Sequence, residues 1–155
     1  MPLPATITPT IVETLYDDAL HLTEESRMVF EMAEAAPPEE ARESAKRVAL
    51  SCEALRTTTR MMHAMAWLLN HRAYFAGDLS EFQLRRHGRL PPAQPDGDTH
   101  QLALIDLYTL DLIDRTKAFY ARIERLDRAW RDHYAMQPAA VHRLRDRLGK
   151  VYSTG

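Results

Sequence analysis

The chain has 155 residues, of which 45% are hydrophobic and 27% charged, and its formal net charge is −2. This length and apolar content are those of one compact domain with its own core, so we expect a single domain over residues 1–155. The slightly acidic balance provides no overall basic field of the kind that attracts nucleic acid or an anionic membrane. We therefore expect neither of these as a partner.

The first residues and the cysteine content indicate a protein of the cytoplasm. Cys52 is the single cysteine, and the opening MPLPATITPT has neither a basic leader nor a long apolar run. The most apolar window, residues 61–69, is about half the length that spans a bilayer, and it contains His63. We expect a cytoplasmic protein without a transmembrane segment.

Three long segments contain no internal Gly or Pro, and these residues instead fall between the segments. We therefore predict helices separated by turns. In the first segment, Thr8 is placed to cap a helix that has Pro9 in its first turn. Apolar or small residues then recur at steps of three and four, which indicates a buried seam. This seam consists of Val12, Leu15, Ala19, Leu22, Ser26, Val29 and Ala33.

The second segment is predicted to start at Pro38, where Glu39 and Glu40 suit the positive end of the helix dipole, and to stop at Gly77. Its residues follow the same steps of three and four. The predicted seam consists of Ala41, Ala45, Val48, Cys52, Leu55, Thr59, Met62, Ala66, Leu69, Ala73 and Ala76.

The third segment is predicted to run from about Thr99 to about Ala135. Its seam consists of Leu102, Ile105, Thr109, Leu112, Thr116, Phe119, Ile123, Leu126 and Trp130. A shared period of about 3.5 residues is typical of left-handed, nearly parallel helix packing, and short links favour antiparallel neighbours. No segment shows the alternating pattern of a strand. The sequence thus predicts an all-α, antiparallel three-helix bundle.

Shorter elements are predicted between and after the long helices. Ser80 and Gln83 form a capping pair for a short helix that ends at Gly88. Two glycines and three prolines over about residues 88–99 predict a flexible loop. Pro138 is placed to start a short C-terminal helix and tail over about residues 138–155.

The sequence contains no pattern typical of catalysis or of a cofactor. A metal site in a bundle needs inward-facing carboxylates and histidines on several helices, and only Asp18 and His21 have that spacing. Cys52 lies on a predicted seam, where a thiol is inert, and the glycines are not clustered as in a phosphate-binding loop. We expect a protein that is not an enzyme and has neither cofactor nor metal.

A cationic and aromatic ridge is predicted along one flank of the second helix. Residues that favour protein contacts follow one another there at steps of three and four. This predicted partner-binding ridge consists of Arg56, Arg60, His63, Trp67, Asn70 and Tyr74. In the alternative, structural interpretation, Trp67 and Tyr74 cover the short helix, while the arginines pair with first-helix acids such as Glu24 or Glu31.

A second apolar set lies off the seam of the third helix and is predicted to mediate self-association. It consists of Leu104, Tyr108 and Ile113. A lone bundle would leave such side chains uncovered, which favours a homodimer.

The stretch EALRTTTRMMHAMAWLLNHRAYFAGDLS, residues 53–80, resembles the central helix and following turn of the alphaproteobacterial regulators of CtrA degradation, the RcdA family. The matching positions are Leu55, Arg56, Thr58, Thr59, Arg60, Met62, Ala66, Trp67, Leu68, Leu69, Gly77 and Asp78. The resemblance implies a three-helix bundle, usually dimeric. It also implies a non-enzymatic adaptor that helps to deliver cell-cycle regulators to the ClpXP protease through accessory adaptors.

Two other functions remain open from the residues. The first is a sensor that binds a small molecule or a metal between the helices. The second is a nucleic-acid accessory that acts through the basic C-terminal stretch HRLRDRLGK, although Val141, Leu144 and Leu148 also give that stretch an ordinary docking face.

Overall fold

A computed structural model describes residues 7–35 and 41–152, without the side chains of residues 41, 42, 134–143, 146 and 152. The described chain is all-α, as predicted, and its helices form a bundle. The helices are α1 (Pro9–Glu34), α2 (Ala41–Phe75), α3 (Glu81–His87), α4 (Thr99–Leu102) and α5 (Leu107–Tyr152).

The first helix begins as the sequence predicts. The Thr8 hydroxyl accepts a hydrogen bond from the Ile11 amide at 3.2 Å, and Pro9 occupies the first turn. The helix α1 then runs antiparallel to α2, since Glu13 near its start pairs with Arg72, while the Glu34 carbonyl near its end accepts a hydrogen bond from Arg47. The predicted α2 start at Pro38 lies outside the described residues.

The end of α2 and the short helix that follows are held by the predicted turn residues. Gly77 takes a φ of 85°, which favours glycine, and the Asp78 amide donates to the Ala73 carbonyl at 2.8 Å. Ser80 and Gln83 form a reciprocal capping box at the start of α3, which ends at Gly88.

The third segment differs from the prediction at both ends. It contains the short α4, after which α5 begins as a separate helix. At the start of α5, the Asp106 carboxylate accepts hydrogen bonds from the backbone amide and the hydroxyl of Thr109. At the other end, α5 continues through Pro138 to Tyr152 without the predicted break. A proline in a helix removes one backbone hydrogen bond, a loss that the long helix absorbs here.

The long helices do not all alternate in direction. Helix α5 is antiparallel to α1, because Leu112 near its start shares a core cluster with Phe30 near the end of α1. Further along α5, Ile123 shares a cluster with Leu15 near the start of α1. Helix α5 is parallel to α2, because Arg60 bonds Thr116 and, further along both helices, Trp67 bonds Asp127. Residues 76–106 return along the bundle between α2 and α5, so the short-link rule applies to α1 and α2 alone.

The core consists of two apolar clusters. One is built around Trp67, Leu15 and Ile123, and the other around Phe30, Leu50 and Leu112. Buried polar residues occupy the stretch of each long helix that lies between the clusters. They are Ser26 on α1, Glu53, Thr57 and Arg60 on α2, and Thr116 on α5.

The predicted seams of α1 and α5 are confirmed, and that of α2 is wrong. All described seam residues of α1 and α5 are buried or half-buried. On α2, Leu55 is 69% exposed, Met62 64% and Leu69 46%. The face that packs into the bundle is the opposite one, which includes Leu50, Met61, Ala64, Trp67 and Leu68.

Candidate helix-docking site

The inner face of α2 carries polar side chains that find partners inside the bundle. Arg60 is 3% exposed and donates from Nη1 to the Thr116 hydroxyl at 2.9 Å, and this hydroxyl donates to the Ile113 carbonyl. Trp67 is 2% exposed and donates from Nε1 to Asp127 at 3.0 Å. These bonds compensate for burying polar groups, so the inner face of α2 need not be apolar throughout.

His71 completes this inner face at the end of the bundle. It is 1% exposed, with its ring centroid 3.9 Å from that of Trp67 and 5.6 Å from that of Trp130. Removal from water lowers the pKa of His71 to about 4, against the opposing effect of the Asp127 charge. The imidazole is therefore neutral at physiological pH. Removal from water also lowers the pKa of Arg60.

The predicted ridge does not form one exposed surface. Arg60 and Trp67 are buried, because their polar atoms bond α5. The other four residues of the ridge are half-buried, namely Arg56, His63, Asn70 and Tyr74. The structural interpretation is correct that Arg60 and Trp67 hold the fold together, but it is wrong about the partners of the arginines. Arg60 bonds Thr116 of α5, and Arg56 bonds Glu53 of α2. The acids proposed as partners, Glu24 and Glu31, both bond Arg27.

Arg56 lies against the connection over residues 76–106, which runs along the bundle between α2 and α5. It bonds the buried Glu53 carboxylate at 2.9 Å, and Gly97 lies so close to this pair that a side chain there would collide with Glu53. Leu90 of the same connection is buried in the core, and the Tyr120 hydroxyl donates to the Pro91 carbonyl. The predicted loop over about residues 88–99 is thus packed onto α2 and α5 at several points.

The predicted self-association set is divided by the structure. Ile113 is 1% exposed and belongs to the core around Phe30, so it is not available to a second copy. Leu104 is half-buried, whereas Tyr108 is 61% exposed beside Leu107, which is 84% exposed. Apolar surface therefore persists at the start of α5, but through Leu107 and Tyr108.

The outer face of α2 is an exposed stripe without charge. Between Arg47 and Arg72, every residue of α2 that is exposed is uncharged, and these residues recur at steps of three and four. The stripe covers about 32 Å of helix at 1.5 Å per residue. This α2 stripe consists of Val48, Ser51, Leu55, Thr58, Met62, Ala66 and Leu69.

The α2 stripe has the spacing of a helix that packs against another helix. A period near 3.5 keeps apolar residues on one line along a partner, and small residues between large ones leave room for its side chains. Single exposed apolar residues are ordinary, whereas a continuous apolar patch marks an interaction site. The α2 stripe is therefore the candidate functional site.

A groove between α1 and α2 adjoins the stripe. It has a volume of about 610 Å³, and Thr58, Met62, Ala66 and Leu69 of the stripe belong to its lining. The Thr57 hydroxyl at this groove is buried and has no hydrogen-bond partner among the described residues. Methionine side chains adapt their shape, so Met61, Met62 and Met65 suit an irregular apolar occupant.

Neither a ligand cluster nor a spanning helix occurs in the part of the chain that the structure describes. No three candidate metal-ligating side chains come together there, and Asp18 and His21 lie on an exposed face of α1. Among the same residues, no helix is both long enough and apolar enough to cross a bilayer.

The fold defines the chain as an all-α helical-bundle protein with an uncharged outer helix face. Residues 4–152 match the family described as "Protein of unknown function (DUF1465)", and the chain belongs to that family. No curated protein and no solved structure matches the chain.

The predicted seam of α2 contains five of the seven stripe residues but assigns them to the core, and it lacks Ser51 and Thr58. Val48, Leu55, Met62 and Leu69 were recognised by their spacing, which is the same for a buried seam and for an interface. The distinguishing signal was the absence of charge on this line, together with a second apolar line through Leu50, Met61 and Leu68 on the opposite face.

Proposed function

We propose that this protein is a non-enzymatic adaptor whose α2 stripe binds a helix of a partner protein. The observation that carries the proposal is the run of seven exposed, uncharged residues at heptad spacing on a protein whose residues are 27% charged. In water this surface is unfavourable, and a helix with a matching apolar seam would remove it from solvent.

The proposed partners come from the resemblance of residues 53–80 to the regulators of CtrA degradation. The adaptor would help to deliver CtrA-like response regulators or other cargo to the ClpXP protease in the alphaproteobacterial cytoplasm, through accessory adaptors and as a homodimer. Five of the seven stripe residues fall within the matching motif: Leu55, Thr58, Met62, Ala66 and Leu69. The buried Arg60 and Trp67 of the same motif set the rotation of α2 that turns these five outward.

The test is reconstituted degradation of a CtrA-like response regulator by ClpXP with its accessory adaptors. Wild-type protein should accelerate degradation, and the double variant Leu55→Glu with Met62→Glu should lose most of this effect, because charges would replace the apolar contact. The matched control is Met28→Glu with Met32→Glu, two exposed methionines of α1 that do not line the groove. Equal activity of the two double variants would contradict the proposal.

The groove beside the stripe favours a second candidate, a sensor that binds a small apolar molecule. Its volume is in the range of ligand pockets, and the Thr57 hydroxyl offers an unused hydrogen bond. A thermal-shift screen of metabolites tests this candidate. A compound that stabilises the wild type but not Thr57→Val would support it, and a screen without such a compound would count against it.

A further inference from the structure

A second surface, on the side of the bundle formed by α3, the connection after it and α5, is rich in arginine. Two adjoining clefts of about 820 and 300 Å³ lie there and share Arg131. The larger is also lined by Arg89 and Arg128, and the smaller by Arg85 and Arg86. We refer to both together as the arginine cleft.

The larger cleft is lined by three arginines and three carboxylates, and two of these carboxylates are engaged. Asp127 is 7% exposed and bonds both Trp67 and Arg131, and Glu124 pairs with Arg128 at 3.5 Å. Asp132 is the third, and the smaller cleft is lined by no carboxylate. Five arginines against three carboxylates leave the arginine cleft with an excess of positive charge, which lies at Arg85 and Arg86 of the smaller cleft. The net charge of the whole chain is −2.

Arg131 is held in place where the two clefts meet. Its Nε donates to both oxygens of Asp127, at 3.2 and 3.1 Å, and its Nη1 donates to the Arg85 carbonyl at 3.2 Å. Its Nη2 is buried and has no hydrogen-bond partner among the described residues. Arg131 therefore fixes the wall of the cleft, whereas Arg86 and Arg89 are exposed and can contact a ligand.

An aromatic side chain stands beside these charges. Phe82 of α3 is 66% exposed and lines the smaller cleft with Arg85, Arg86 and Arg131. Basic residues in the last turn of α3 also suit the negative end of a helix dipole. The helix dipole of α3 does not explain why Arg89 and Arg128, which lie outside α3, are at this surface. It also does not explain why the Phe82 ring is exposed.

We propose that the arginine cleft binds an acidic peptide segment of a partner protein, with an aromatic or large aliphatic side chain of that segment packed on Phe82. Carboxylates match the arginines, and the apolar side chain matches the ring. A short acidic segment can reach the positive cleft, whereas a long polyanion would also meet the acidic remainder of the surface. The cleft shares no residue with the α2 stripe, so the two proposals can fail separately.

The test is fluorescence anisotropy with a labelled peptide of about a dozen Asp and Glu residues around one Phe. Arg86→Glu with Arg89→Glu should weaken binding at least about tenfold. The matched control, Arg122→Glu with Arg125→Glu, changes the charge equally at exposed positions of α5 outside the cleft and should have less than about a twofold effect. Circular dichroism checks that both double variants remain folded. The milder pair Arg86→Gln with Arg89→Gln should weaken binding in the same direction.

Three results would overturn the proposal. The first is an equal loss of affinity in the two Glu double variants, which would mean unspecific charge attraction. The second is unchanged affinity when Asn, Gln and Ala replace the acids and the Phe of the peptide. The third is tighter binding of a single-stranded oligonucleotide or a phosphatidylserine vesicle through Arg86 and Arg89, which would mean a site for another class of polyanion.

Discussion

Arg60 shows how a residue with the character of a binding residue can instead hold a bundle together. Its guanidinium is buried between two helices and bonds Thr116 of α5. A buried arginine persists where its hydrogen bonds are made, and removal of such a side chain leaves both a cavity and an unpaired hydroxyl acceptor. This chemistry gives Arg60 a role in stability.

We expect Arg60→Ala to lower the free energy of unfolding by roughly 2–4 kcal/mol, from the lost charged hydrogen bond and the lost packing. Arg128→Ala is the control, because Arg128 is exposed and pairs with Glu124 of its own helix; it should cost about 1 kcal/mol or less. Urea denaturation of both variants measures the difference. If Arg60→Ala were as stable as the wild type, the buried role would be wrong.

His71 makes the stability depend on pH. The unfolded chain protonates this histidine below its ordinary value of about 6.5, whereas the folded protein does so only below about 4. The stabilising contribution of the neutral His71 is therefore complete above pH 6.5 and decreases as the pH falls from 6.5 to about 4. Over this range the free energy of unfolding decreases by roughly 3 kcal/mol. His71→Phe should flatten the slope of stability against pH between these limits.

Chemical denaturation at several pH values measures this slope. Carboxylates such as Glu25 and Asp96, whose pKa values are lowered by Arg115 and Lys117, lose their contribution only as the pH falls towards and below their ordinary values. That acid loss should remain in His71→Phe. An unchanged slope above pH 4.5 in the variant would show that His71 is not the group that titrates.

At the scale of the element, α2 is a helix with two apolar faces. One face enters the bundle with Leu50, Met61 and Leu68, and the opposite face forms the α2 stripe. Tertiary partners decide which face is inside: Thr116 and Asp127 of α5 accept the hydrogen bonds of Arg60 and Trp67. The heptad pattern alone contains no information about these partners.

Adjacent leucines of α2 test this rotation directly. Leu68 is 0% exposed, and Leu68→Ala should cost roughly 2–5 kcal/mol of unfolding free energy through the cavity that it leaves. Leu69 is 46% exposed, and Leu69→Ala should cost less than about 1 kcal/mol. Thermal or urea unfolding of the pair provides the comparison. A larger cost for Leu69→Ala than for Leu68→Ala would mean that the face containing Leu69 is buried, as the sequence predicts, and would contradict the observed rotation of α2.

The sequence predicted α1, the capping box of α3 and the buried face of α5, because those elements depend on local signals. Thr8, Ser80 and Gly77 act through their nearest neighbours along the chain. The rotation of α2 and the burial of Ile113 depend on residues far away in sequence. Spacing therefore identified five of the seven stripe residues of the candidate site but not the side on which they lie.

At the scale of the whole molecule, two surfaces remain after the bundle has closed. The α2 stripe is uncharged, and the arginine cleft on α3 and α5 is cationic. If both surfaces bind as proposed, the protein can hold two partners of different chemistry at once, as the proposed adaptor function requires. Helix α5 is parallel to α2 because residues 76–106 return along the bundle before α5 begins. These residues include α3 and provide part of the lining of the arginine cleft.

Photo-crosslinking from a benzoylphenylalanine at residue 62 of the stripe, in an alphaproteobacterial lysate, tests whether the stripe binds a helix of a partner protein. The same probe at residue 32, on an exposed part of α1, is the control. We predict that residue 62 crosslinks a helical segment of a response regulator or of a protease-linked adaptor, and that residue 32 does not. Equal crosslinking from both positions, or none from residue 62, would contradict the account.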